Sequence, residues 1–217
     1  MFKPAVTDTV LRLFPNLKIA YKDQSILMKI INMVLFFNPT FMTQFATTVG
    51  DTIYYPTASY INHHPVSAFV TLAHEIVHIY DERKITKILF SILYLLPQLL
   101  FIPALLLFLI SWKIAIPIML LCLLPIPSYF RMVFEKRAYM ASLYTMNKLN
   151  IKSHYHINIR EQKDVFLQQF KSMDYYYVWP FHHLDKEFDR AVEKIWAGER
   201  PYNDKVFDIL DQIIEVF

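Results

Sequence analysis

The sequence predicts a mostly helical α+β fold: a small antiparallel β-hairpin, two helices with polar residues on apolar faces, and an apolar helical hairpin inserted between them. Three features predict it. A Thr/Val/Ile/Tyr-rich stretch is broken by Gly50-Asp51, which gives strand character on both sides of a turn. The run Leu72-Ala73-His74-Glu75-Ile76-Val77-His78 places two histidines four residues apart within an apolar helical pattern. Residues 88–130 carry one charge, Lys113, in an otherwise uncharged block.

Taken in order, residues 1–23 read as polar and irregular, with an apolar cluster at Leu11, Leu13 and Phe14. Ser25 can cap a helix over Ile26–Phe37 that Asn38-Pro39 stops. That helix is too short to span a bilayer. A β-hairpin follows, Gln44–Val49 and Thr52–Tyr55, closed at Gly50 and ended by Pro56. After a loop with His63, His64 and Pro65, a helix begins near Pro65 to Ser67 and runs to about Tyr80.

The apolar block comes next. Its two uncharged segments, Ile88–Ile110 and Ile114–Phe130, flank Ser111-Trp112-Lys113; the first reaches spanning length. Pro97, Pro103, Pro117, Pro125 and Pro127 would kink such helices, so the block reads as two kinked transmembrane helices or a re-entrant hairpin. Beyond it, Arg131–Leu149 reads as a long helix and 159–173 as another. An amphipathic helix uses Leu184, Phe188, Val192, Ile195 and Trp196; a last one uses Val206, Ile209, Leu210, Ile213 and Phe217.

Composition narrows the functions. Hydrophobic residues make up 55% and charged residues 19%, more apolar than an ordinary soluble domain, and the excess is concentrated in the insert. A net charge of +3 with no basic stripe gives no footprint for nucleic acid. Cys122 is the only cysteine, so no internal disulfide forms. The N-terminal segment has no apolar stretch followed by a small-residue cleavage site, so no secretory signal is expected.

The chemistry lies in His74-Glu75-Ile76-Val77-His78. One helical turn stacks the two imidazoles on one face, where both can meet a single ion, and Glu75 projects beside them within reach of a metal-bound water. A zinc ion makes such a water acidic, and Glu75 can take its proton as general base. A catalytic zinc needs a third protein ligand, for which Glu135 is chosen over Glu82 and Glu161. Small Ala138, one turn on, lets its helix approach the His74 helix, and Tyr139 is placed to hydrogen-bond His74. Ligands on either side of the insert must reach one metal, so the insert must return the chain to the side it left. Arg83, Lys84 and Lys87 before the block and Arg131, Lys136 and Arg137 after it put both ends, and the site, on the cytoplasmic face of a membrane.

These residues resemble the gluzincin metallopeptidases, in particular the compact minigluzincin core and the HtpX-like and CAAX-prenyl-type membrane proteases. The resemblance rests on Thr48-Val49-Gly50-Asp51-Thr52-Ile53-Tyr54-Tyr55-Pro56, on Leu72 to His78, and on Glu135-x-x-Ala138-Tyr139, and covers roughly residues 25–150. It implies a zincin-type core and an edge strand at Thr52, Ile53, Tyr54 and Tyr55 that binds peptide by strand addition. It also implies a downstream donor to the oxyanion, with His154, His156, Tyr175–Tyr177, His182 and His183 as candidates. Those families usually carry Asp where Tyr139 stands and have further spans before the zinc helix, which this chain lacks.

The expectation is therefore a single catalytic domain, 1–217, with the insert at 88–130 and a C-terminal helical subdomain at 151–217. It would act as a membrane-associated zinc metallopeptidase with His74, His78 and Glu135 as ligands and Glu75 as base, taking a peptide or protein substrate and resting on lipid through the insert. The alternative is a non-catalytic, membrane-inserting protein that retains the core around a structural metal; a pore-forming role for the hairpin is a third reading, and it leaves the histidines unexplained.

Overall fold

The computed structural model describes residues 2–34, 40–43, 46–96, 98–122, 126–172, 179 and 183–217. They form a mostly helical α+β fold with one three-stranded sheet. The predicted hairpin is present as β2 (Thr47–Val49) paired antiparallel with β3 (Thr52–Tyr55), although Gln44 at its predicted start lies outside the described residues. Gly50 takes φ +57° at the turn, a conformation cheap only without a Cβ.

Residues 2–23, read as irregular, hold a helix and a strand. Pro4 opens α1 (Pro4–Leu13), which buries Val6 and Val10 on one face and is followed by buried Phe14, while Leu11 of the predicted apolar cluster points to solvent. Lys18–Tyr21 then forms β1, which pairs parallel with β3 in the register Ile19↔Ile53. The sheet order is β1-β3-β2, so β3 is bonded on both sides. This corrects the expectation that Thr52, Ile53, Tyr54 and Tyr55 form an edge strand. Both of their ladders are already occupied, and among the described residues β2 is bonded only through β3.

Ser25 precedes α2 (Ile26–Val34) and accepts from Met28 N; the predicted continuation to Phe37 lies outside the described residues. Short α3 (Ala58–His63), capped by Thr57, occupies what reads as loop in the sequence. α4 (Pro65–Ile85) carries the histidines and runs beyond Tyr80, with Arg83 and Lys84 in its last turn, where cations suit the carbonyl end of the helix dipole. It stops at Thr86, whose φ of 81° is strained for a β-branched residue and whose hydroxyl accepts from Leu89 N to start α5 (Lys87–Leu95).

The rest of the insert is fragmented: a 3₁₀ turn at Gln98–Leu100, α6 (Phe101–Ala104), a 3₁₀ stretch at Leu105–Leu109 and α7 (Trp112–Cys122), with Pro103 and Pro117 inside helical segments. Among the described residues no single helix is long and apolar enough to cross a membrane. Lys87–Leu95 with Gln98–Leu109 meets the length and composition as a pair, bent by 91°. The described part of the insert is thus a series of short pieces where two kinked helices or a re-entrant hairpin were expected, each prolyl position costing the helix a donor and a clash with the preceding turn.

α8 (Tyr129–Ser153) is capped by Ser128 and ends at His154 in the left-handed region. α9 (Ile159–Lys171), α10 (Leu184–Trp196) and α11 (Val206–Val216) follow. The main core is the α4–α8 interface, closed by α1, the sheet and the last three helices; Ile76, Ala138, Leu143, Phe188 and Phe207 are among its buried members. Arg137 ties the pieces together. Its guanidinium donates twice to Asp81 on α4 (2.9 Å each) and once to Asp204 (3.0 Å), with the ring of Tyr202 stacked 4.7 Å away. Charged hydrogen bonds of this kind contribute about 1.5–3 kcal/mol each, and this set locks the register of α4 against α8.

Candidate metal centre

That register determines the site. His74 and His78 lie on one face of α4, and Glu135 points at them from the second turn of α8. The two Nε2 atoms are 3.2 Å apart; Glu135 Oε2 is 3.2 Å from His74 Nε2, and its Oε1 is 3.7 Å from His78 Nε2. One donor atom from each residue falls within a single 4.8 Å cluster. Tetrahedral zinc with ligand bonds near 2.0–2.1 Å spaces its ligand atoms about 3.3 Å apart; the two Nε2 atoms and the His74–Oε2 pair match that spacing, while His78 faces the other carboxylate oxygen at 3.7 Å. The side chains are 11%, 10% and 1% exposed. His74, His78 and Glu135 can hold a metal ion.

The fit is also electrostatic. Burial alone would raise Glu135, yet the facing His78 and His74 rings hold its carboxyl well below the usual range. Burial alone would lower His78, and Glu135 overrides that and pushes it up to about 8. Without a metal the cluster therefore keeps a proton where an ion would sit. Glu135 Oε2 and His78 Nδ1 are buried without a hydrogen-bond partner among the described residues. A cation between the three side chains would supply the charge that this buried carboxylate needs.

Around the ligands the structure adds partners that sequence reasoning missed. Ser142, two turns past Glu135, donates to Ala138 O (3.0 Å), which leaves its oxygen to accept from His74 Nδ1 at 3.4 Å. That contact selects the tautomer with a free Nε2 lone pair. Tyr139, expected beside His74, meets it ring against ring, T-shaped at 4.7 Å between centroids. Tyr94, in the apolar insert, donates its hydroxyl to Glu135 Oε1.

Glu75 is buried beside the cluster and accepts from Thr48 Oγ1 at 2.7 Å. Thr48 belongs to β2, so the strand with an open side is also the one that orients the candidate base. His154, His156 and His183, candidates for the oxyanion donor, are exposed and have positive φ. Tyr175–Tyr177 and His182 lie outside the described residues. Glu82 is buried on α4 but takes no part in the ligand group, and neither does Glu161 at the start of α9.

Among the described residues no fourth His, Cys, Asp or Glu joins this group. Against protein-family models, curated proteins and solved structures the chain finds no match, so the chemistry of this site has to be argued from its own geometry.

Proposed function

We propose that the protein is a membrane-associated zinc metallopeptidase with a gluzincin-type core. The observation that carries this reading is the convergence of His74, His78 and Glu135 with a separate carboxylate, Glu75, held by Thr48 of an open strand. Two imidazoles and a carboxylate suit zinc better than the harder cations, which prefer all-oxygen shells. When bound, zinc supplies Lewis acidity toward a carbonyl and makes water acidic near neutral pH.

The residues of the chain supply the rest. Thr48 holds one carboxylate oxygen of Glu75 and leaves the other to take a proton from water and return it to the leaving amine. Ser142 and Tyr94 orient a histidine and the glutamate ligand. An extended peptide adds to the open side of Thr47–Val49 and lies across the site; in this role β2 replaces the doubly paired β3. A purely structural metal would have no use for an oriented carboxylate beside its ligands, so the catalytic reading is preferred. The experiment is hydrolysis of a mixed peptide library by the full chain in detergent. We expect cleavage that stops on chelation and returns with zinc; zinc bound with no chelator-sensitive cleavage would overturn the peptidase reading.

The membrane part of the proposal rests on the surface of the insert. Leu109, Ile88, Ile110, Leu106 and Trp112 are 86, 76, 76, 65 and 61% exposed on a segment whose only charge is Lys113. A soluble monomer rarely exposes such a continuous apolar area. The short, bent pieces fit a hairpin that dips into the bilayer and returns, with cationic flanks and the site at the cytoplasmic face. Alkaline carbonate should leave the protein in the membrane pellet and detergent should extract it; release by carbonate alone would refute the embedding.

A further inference from the structure

The first helix of the insert does more than start an apolar segment. Thr86 breaks the chain at a positive φ, and α5 brings Phe90 and Tyr94 beside the metal site. Its two faces then meet different surroundings. Ile88, Leu89, Ile92 and Leu95 are exposed, whereas Phe90, Leu93 and Tyr94 turn inward. Phe90 packs on Phe134 (4.6 Å) and Tyr94 (5.7 Å), and both rings stand edge-on to His78 at 6.2 and 6.0 Å. Arg131 fastens the end of the helix: its Nε donates to Tyr94 O (3.2 Å), its Nη2 to Gln98 Oε1 (3.3 Å), and its guanidinium lies 5.1 Å from the Tyr94 ring.

We propose that Tyr94 is a positioning residue of the metal centre, and that through its hydroxyl the apolar insert sets the orientation of the ligand Glu135. Glu135 is fully buried on a core helix, yet a carboxylate can still rotate about its last torsion, and only one rotation aims Oε2 at His74. Tyr94 donates to the other oxygen and fixes that rotation. The hydrogen bond also spreads the carboxylate's charge over a donor that stays put when a cation arrives. Ligating carboxylates are commonly held in this way, and losing such an outer contact weakens metal affinity by roughly 10–100-fold. Here the outer contact comes from a helix whose opposite face is exposed and apolar, so the seating of the insert and the geometry of the ligand are one structural unit. This inference rests on the metal reading of His74, His78 and Glu135, and it does not depend on the protein being a peptidase.

The test is zinc affinity of the full chain in detergent, measured by competition with a chromogenic chelator, together with the visible absorption of the cobalt-substituted protein. Tyr94→Phe keeps the ring, and with it the contacts to Phe90, His78 and Arg131, but removes the hydroxyl. We expect about a 10–100-fold loss in zinc affinity and a shifted cobalt spectrum at an unchanged unfolding temperature. Ile92→Ala, on the exposed face of the same helix and outside the aromatic cluster, should leave the cobalt spectrum as in the wild type. Equal zinc affinity and an identical cobalt spectrum in Tyr94→Phe would overturn the proposal. A wild-type protein that binds no zinc would overturn both it and the metal reading. If Tyr94→Phe does not fold, fluorotyrosine at position 94 keeps shape and hydroxyl while strengthening the donor; its cobalt spectrum should move, and an unmoved spectrum would again overturn the proposal.

Discussion

Glu75→Gln is expected to abolish peptide hydrolysis while zinc stays bound. Glutamine has the same volume as glutamate, and its carbonyl oxygen can still accept from Thr48 Oγ1, so the packing beside β2 survives. What it lacks is a basic oxygen. Glu75 is not one of the three converging ligands, and the metal stoichiometry should therefore remain near that of the wild type. A positioned general base contributes about 10²–10⁴-fold to a hydrolytic rate, and here the same carboxylate would also carry the proton to the leaving amine, so the loss belongs toward the upper end. The measurement pairs cleavage of the best peptide from a library with elemental analysis of the same sample. A variant that still cleaves at wild-type rate would show that Glu75 takes no proton in the reaction. A variant that loses zinc would show instead that Glu75 supports the ligand group and that the wrong carboxylate has been taken for the base.

The metal centre was more legible in the sequence than its surroundings. A helix brings residues four apart onto one face whatever its tertiary context, so His74 and His78 could be paired before any fold was known. Glu135 was harder, and small Ala138 was the useful clue: a close approach of two helices needs a small residue, and Ala138 is fully buried at the α4–α8 contact. Thr48, Tyr94 and Ser142 were not identified as partners, because their contacts to Glu75, Glu135 and His74 cross 27, 41 and 68 residues of sequence. Periodicity tells which way a side chain faces on its own element and says nothing of what it meets. The same limit explains the sheet. The β2–β3 hairpin is a local pairing announced by Gly50-Asp51, whereas β1 joins β3 in parallel across more than thirty residues and has only Lys18-Ile19-Ala20-Tyr21 to declare it. The resemblance implied an edge at Thr52–Tyr55, and β1 makes that strand central. In the insert, the absence of charge was visible at once, but the 91° bend depends on where successive short helices stop, which composition does not reveal.

The ligand with the strongest claim to being tested is Glu135, because it joins the two halves of the chain on either side of the insert. In the metal-free protein its charge keeps a proton on His78 up to about pH 8, above the ordinary histidine value of 6.5. That ion pair contributes stability that is fully present below about pH 6.5 and is lost as pH rises through about 8. Zinc must displace the same proton, so its affinity should climb with pH and level off above about 8. Zinc added at a hundred times its dissociation constant should then raise the unfolding free energy of the wild type by about 2.7 kcal/mol, with a smaller increment at the same zinc concentration at pH 6. In Glu135→Ala the third ligand is gone and two imidazoles remain; the zinc increment should vanish at every pH, a larger loss than the roughly 10–100-fold expected for an outer contact. Glu135→Gln keeps the volume and the partner of Tyr94 but gives up the charge, and it should also lose the increment, which separates a coordinating carboxylate from a merely space-filling one. Zinc stabilisation that persists in both variants with its pH dependence intact would mean that the ion, if it binds at all, sits elsewhere, and the proposed convergence of α4 and α8 on one cation would be wrong.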